Sequence, residues 1–232
     1  AVRIDPSHAP SWTGLAELNV LAAHFSLVPA REACAAARAA LSTAERLQGE
    51  SADALYVEGF VAFIERRWQA MEVAYRRAID LQPGHVQALA AYGVMLSTRQ
   101  KLPEALPFFR RAEEADPLAA FPYSLTGGGL LVCGRPEDAL QSCEDSLSFE
   151  QDNLIGLWVS AMALIHLGRK EEGIARAKRA VAVSQRGPHF LGLLGWALAT
   201  SGQVDAARTI LDEMRARPAG SPTAVSEAWL LG

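Results

Sequence analysis

Five histidines are the side chains best suited to metal or proton chemistry: His8, His24, His85, His166 and His189. No two stand in an H-E-x-x-H or comparable paired spacing, so they do not describe a metal site. Three cysteines, Cys34, Cys133 and Cys143, make an odd set without metal-type spacing. They read as packed thiols in a reducing compartment, with Cys133 and Cys143 able to approach in a helical hairpin. The run TGGGLL at Thr126–Leu131 is rich enough in glycine to suggest a phosphate loop, but no Gly-Lys-Ser/Thr follows it. No serine occupies a G-x-S-x-G elbow, and the acidic residues fall in the solvent-facing phase of helices rather than converging. The sequence predicts no enzyme, no metal and no cofactor.

The elements that carry these residues are helical. The 232-residue chain is half hydrophobic and rich in Ala, Leu, Arg and Glu, with few β-branched clusters. A formal net charge of −4 shows no bias toward nucleic acid or an anionic membrane. No stretch reaches the roughly 18 apolar residues of a membrane span. The opening AVRIDPSHAP lacks the charge and apolar pattern of a signal peptide, and both ends look cut from a longer polypeptide. A cytoplasmic setting is expected.

The chain repeats itself every 34 residues from Ser51 to Gly220 without a gap. Gly59, Gly93, Gly127, Ala161 and Gly195 share one slot, and Met71, Ala105, Ala139, Gly173 and Ala207 another. Tyr75, Phe109, Cys143, Ala177 and Leu211 fall four residues further on. Each unit reads as two helices, such as Val86–Thr98 and Pro103–Ala115. The small residues let the two helices approach, the aromatic fills the wedge between neighbouring hairpins, and Pro83 and Pro117 stop the second helix. Gly134, Gly168 and Gly202 suit the turn inside the hairpin. Gly128 and Gly129 weaken their helix, marking the fourth hairpin as a flex point or a place where a ligand backbone approaches closely.

A 34-residue helix–turn–helix unit with this pattern resembles the tetratricopeptide repeat, best in LAAYGVML…EALPFFRRA…DP. The resemblance implies an all-α fold, a right-handed α-solenoid of stacked antiparallel hairpins. It spans 1–232 as a single domain with hairpins at 9–50, 52–84, 86–118, 120–152, 154–186 and 188–220, and partial flanking helices at 1–6 and 221–232. The first unit places Trp12, Leu15 and Ala16 in family slots, but the next begins about nine residues late. Longer helices or a longer loop are expected there. AVRIDPSHAPSWTGLAE and GSPTAVSEAWLL are also similar to the carboxy-terminal repeat regions of bacterial multidomain signalling and transcription regulators.

In that family the first helices line a concave surface. Tyr56, Phe60 and Phe63 form a second apolar stripe beside Leu55, Gly59 and Ala62; Trp158, Met162 and Ile165 do the same beside Leu157, Ala161 and Leu164. Phe121 and Trp196 occupy similar slots, with His166 and His189 near them. The expected site is therefore a groove of Tyr56, Phe60, Phe63, Phe121, Trp158, Met162, His166, His189 and Trp196, set against the alternative that these rings thicken the core. Such a groove takes an apolar or amphipathic peptide or helix. Some family members grip a terminal carboxylate with Lys, Arg and Asn; the slots here hold Tyr56, Phe60, Ala91, Val94, Leu125 and Gly128, which cannot.

The arginine pairs Arg76–Arg77 and Arg110–Arg111, with Lys178–Arg179, are interleaved with Glu72, Glu113, Glu114, Glu144 and Asp145. They read as a solvated convex face, not a track for nucleic acid. The sequence thus predicts a non-enzymatic scaffold for a protein or peptide partner, without direct nucleic-acid or membrane binding. The alternative is an intramolecular regulatory or oligomerisation segment of a larger bacterial signalling or transcription protein, self-associating through its terminal hairpins.

Overall fold

The structure is a computed structural model and describes residues 1–217. The described residues form twelve helices: α1 (Ala9–His24), α2 (Ala30–Gln48), α3 (Ala52–Ile64), α4 (Trp68–Leu81), α5 (Val86–Thr98), α6 (Leu102–Ala115), α7 (Ala120–Val132), α8 (Pro136–Phe149), α9 (Leu154–His166), α10 (Lys170–Val183), α11 (Pro188–Thr200) and α12 (Val204–Arg215). They pair in chain order into hairpins, and each hairpin packs on the next. From α3 onward every helix starts 34 residues after its counterpart in the preceding hairpin. The fold is an α-solenoid.

The two helices of a hairpin differ in composition for a physical reason. α5, α7, α9 and α11 carry no Asp, Glu, Lys or Arg. They lie between neighbours and are covered on more than one side. The second helices of the hairpins, α4, α6, α8, α10 and α12, bury an alanine-rich stripe and leave arginines and carboxylates in water. Several of these charges join successive hairpins: Arg77 pairs with Glu50 at 2.8 Å, Arg99 with Glu72 at 2.7 Å and Arg179 with Asp152 at 2.9 Å. Exposed pairs of this kind contribute at most about 1 kcal/mol each.

The glycine slot is a packing device. A Cβ on Gly93 would lie 2.5 Å from the Phe109 ring, and one on Gly127 would lie 2.6 Å from Cys143 Sγ and 3.0 Å from the Ala139 carbonyl. Phe109 also abuts Gly129 of the next hairpin, so its ring is the wedge between two units. Gly128 and Gly129 therefore do not open α7, which runs unbroken; the backbone that Gly129 admits is approached by a neighbouring ring. The turn inside each hairpin needs one left-handed residue. Gly134, Gly168 and Gly202 supply it at φ 72°, 77° and 84°, while Arg66 and Gln100 hold the same position at φ 59° and 60°.

The first hairpin absorbs its extra length mostly as helix. α1 has 16 residues and α2 has 19, against 13 and 14 in the second hairpin. Residues 1–8 form turns instead of the helix expected over 1–6. The Asp5 amide donates to the Ala1 carbonyl at 3.0 Å, and Pro6, without an N–H, cannot extend that turn. The closing helix expected over 221–232 lies outside the described residues. All three cysteines are free thiols; burial first of all pushes Cys143 up to about 12, so that thiol stays protonated.

Candidate functional site

The second apolar stripe on the first helices converges on a residue that its own sequence context does not single out. His24 ends the lengthened α1. Its ring centroid lies 5.4 Å from that of Phe60, 6.0 Å from Phe63, 6.3 Å from Trp158 and 6.0 Å from His189. Phe25, the next residue, stacks on Phe190 at 5.5 Å and meets His189 edge-on at 5.7 Å. Trp158 and His189 meet edge-to-face at 4.7 Å. The turn of the first hairpin thus reaches across the inside of the array to α9 and α11. Three added residues in α1 amount to about 4.5 Å of rise, which carries its end inward.

The nine groove residues separate into groups. Phe60, Phe63, Trp158 and His189 gather round His24. Phe63 remains 36% exposed and continues outward to Trp68, 6.2 Å away. Trp196 is half-buried and lies 6.1 Å from the exposed ring of His166. Met162 packs half-buried on the core of the last two hairpins, and Phe121 on that of the first three. Tyr56 is buried, with its ring 6.2 Å from Tyr75 and 5.9 Å from His85. Tyr56 and His189 therefore belong as much to the interior as to a surface: Tyr75 and His85 lie against the first, and His24, Phe25 and Trp158 against the second.

Burial sets the electrostatics of this cluster. It pulls His24 down to about 4, and it does the same to His189, with the charge of His24 as a second cause. Both imidazoles are therefore neutral at neutral pH, among rings that carry no charge. Burial likewise drives the Tyr56 phenol upward, assisted by the charge of Glu17.

That last contact corrects the expectation that every acidic residue faces solvent. Glu17 sits on α1, half-buried, close enough to Asp53 of α3 that burial and then the Asp53 charge raise its carboxyl. His85 opens α5. Its Nδ1 accepts from the Ala88 amide at 3.1 Å, so the proton is on Nε2, which donates to Asp53 Oδ1 at 2.9 Å. The signal for Glu17 was its place one position past Ala16 on a first helix. It was hidden because α1 departs from the repeat's length. His24 and Phe25 carried no signal beyond the extra length itself.

Residues 73–120 and 159–222 match the family model described as tetratricopeptide repeat. Those two stretches, just under half of the chain, are similar to tetratricopeptide repeats. Among solved structures, the chain is similar to one titled crystal structure of the APC/C hetero-tetramer Cut9-Hcn1, with a TM-score of 0.69, 13% identity, and coverage of 91% of this chain but 40% of that one. It is also similar to TTC0263, a thermophilic TPR protein of Thermus thermophilus, with a TM-score of 0.61, 17% identity, and coverage of 78% of this chain and 93% of that one. At these identities the likeness is one of fold. No curated protein matches the sequence. The α-solenoid thus supplies the frame, and at the His24 cluster its first hairpin meets α9 and α11 as well as its neighbour.

Proposed function

We propose that this chain is a non-enzymatic scaffold that receives a protein or peptide partner along the inner face of the array. The observation that carries this reading is the second apolar stripe: Phe63, Trp196 and Met162 keep exposed or half-buried surface on first helices whose packing stripes are already filled. Large rings at the edge of water, placed on rigid helices, are what an apolar or amphipathic peptide buries against. The three free thiols support a cytoplasmic setting.

The test uses peptides selected from a random library against the full chain, with affinity read by fluorescence anisotropy. Phe63→Ala and Trp196→Ala are each expected to weaken binding at least tenfold, with helical circular dichroism unchanged. Peptides that ignore both substitutions but lose affinity on Arg76→Ala or Arg110→Ala would place binding on the outer face and overturn the reading.

A second reading, an intramolecular regulatory segment of a larger signalling or transcription protein, is favoured by one observation. His24 and Phe25 already cover part of the face of α9 and α11. On that reading Phe25→Ala uncovers the face and tightens peptide binding; on the first it leaves affinity unchanged.

A further inference from the structure

The inner face is not apolar throughout. Near the N-terminal ends of α1, α3 and α5 a cavity of about 220 Å³ is lined by Thr13, Glu17, Gln48, Asp53, Tyr56 and Gln87 among others. Two carboxylates, two hydroxyls and two amides make it rich in hydrogen-bond acceptors and negative in charge.

Its polar groups are left without the partners that such groups have elsewhere in the molecule. Several carboxylates on the outer face pair with arginines, as Glu50 does with Arg77 and Asp152 with Arg179. Among the described residues neither Glu17 nor Asp53 meets a lysine or arginine; Asp53 accepts a hydrogen bond from His85 Nε2 at 2.9 Å. Thr13 is 6% exposed, and its Oγ1 makes no hydrogen bond. Thr43 and Thr126, by contrast, donate that hydroxyl to the carbonyl four residues back, of Ala39 and Pro122, both at 3.0 Å. A buried hydroxyl without a partner costs about 1–3 kcal/mol, and a half-buried carboxylate without a cation adds to that. A cation that carries several N–H donors complements such a set of acceptors.

We propose that this cavity receives the guanidinium group of an arginine on a partner polypeptide. A guanidinium presents five N–H donors in a planar fork. Two engage the Glu17 carboxylate side by side, and the remaining three are shared among Asp53, the hydroxyls of Thr13 and Tyr56, and the amide oxygens of Gln48 and Gln87. An ammonium has only three donors and holds its water more strongly, so arginine is preferred over lysine. The inference rests on the reading of the inner face as an interaction surface and names a side chain that the partner presents there.

The test is an NMR titration of the isotopically labelled full chain with N-acetyl-arginine amide. N-acetyl-citrulline amide, neutral and of the same shape, and N-acetyl-lysine amide serve as comparison probes. Saturable shifts at the amides of Thr13, Glu17 and Gln87 are expected with the arginine probe, severalfold weaker binding with lysine, and none with citrulline. Glu17→Gln is expected to weaken the arginine probe at least tenfold while the melting temperature holds or rises. Should Glu17→Gln fail to fold, Asp53→Asn, at a mostly exposed side chain, gives the same readout with at least a threefold loss. Equal shifts with citrulline, no saturable shift with arginine, or arginine binding unchanged in the carboxamide variants would overturn the proposal. Selected peptides that bind through Phe63 and Trp196 without an arginine, indifferent to Glu17→Gln, would sink this inference and leave the interaction face standing. An arginine probe bound through Glu17 when no selected peptide binds would do the reverse.

Discussion

His24 and His189 lie 6.0 Å apart, ring centroid to ring centroid, although one closes the first helix of the array and the other stands in the first turn of the eleventh. Hairpins of a solenoid ordinarily touch only their neighbours. Here the first hairpin also meets the fifth and sixth through Trp158, His189 and Phe190. The array therefore has a closing contact in addition to its ladder of neighbour contacts, and loosening it separates the ends without unfolding any one hairpin.

Acid should weaken that contact. Both imidazoles are held at about 4 when folded and take a proton near pH 6.5 when released. The released form thus binds more protons between these values. Stability from the pair is fully present above about pH 6.5, declines as pH falls, and levels off below about pH 4. The expected loss is on the order of a few kcal/mol in all. Urea melts followed by tryptophan fluorescence between pH 7 and 4 check it, and His24→Phe should flatten the profile.

Phe25→Ala removes the ring stacked on Phe190 at 5.5 Å. Phe25 is half-buried, so a cost of about 1–3 kcal/mol is expected, below that of a fully buried phenylalanine. Small-angle scattering should show a larger radius of gyration with unchanged helical circular dichroism. An unchanged radius would mean that the ends stay together without it.

Gly93→Ala should be costly because the added Cβ would lie 2.5 Å from a Phe109 ring that is itself held on its far side by Gly129. Overpacking of this kind costs about 1–3 kcal/mol. Combined with Phe109→Leu, the loss should be less than the sum of the two single losses, since the smaller side chain makes room for the methyl group. Chemical denaturation of the four proteins of the cycle measures this.

Pro107 lies inside α6 on an exposed face. It removes one helical hydrogen bond and crowds the preceding turn. Pro107→Ala loses no buried contact and should raise stability by about 2 kcal/mol. A rise in melting temperature checks it; a fall would show that the ring supports the α5–α6 turn.

Much of the fold was legible in the residues. The expected helix Val86–Thr98 is α5 as observed, and Pro103–Ala115 differs from α6 by one residue at its start. Gly93 with Phe109, and Gly127 with Cys143, meet as their offsets required. The site was legible only in part. Phe60, Phe63 and Trp158 were named from a stripe on single helices and do come together. Tyr56 was assigned to an open groove and is buried, and Glu17 was assigned to solvent and is half-buried. Both errors arise in the first hairpin or against it, where the departure from the 34-residue period removes the alignment that guides the rest.

The sequence by itself determined the hairpins, their period and the small residues between them, because each of these depends on contacts within one unit or with the next. Only the tertiary structure decided that His24 and Phe25 lie against Trp158, His189 and Phe190. The bend that brings them there is the sum of small rotations from hairpin to hairpin. No single residue encodes that sum, and a chain with the same local contacts and a slightly different rotation at each step would hold its first and last hairpins apart.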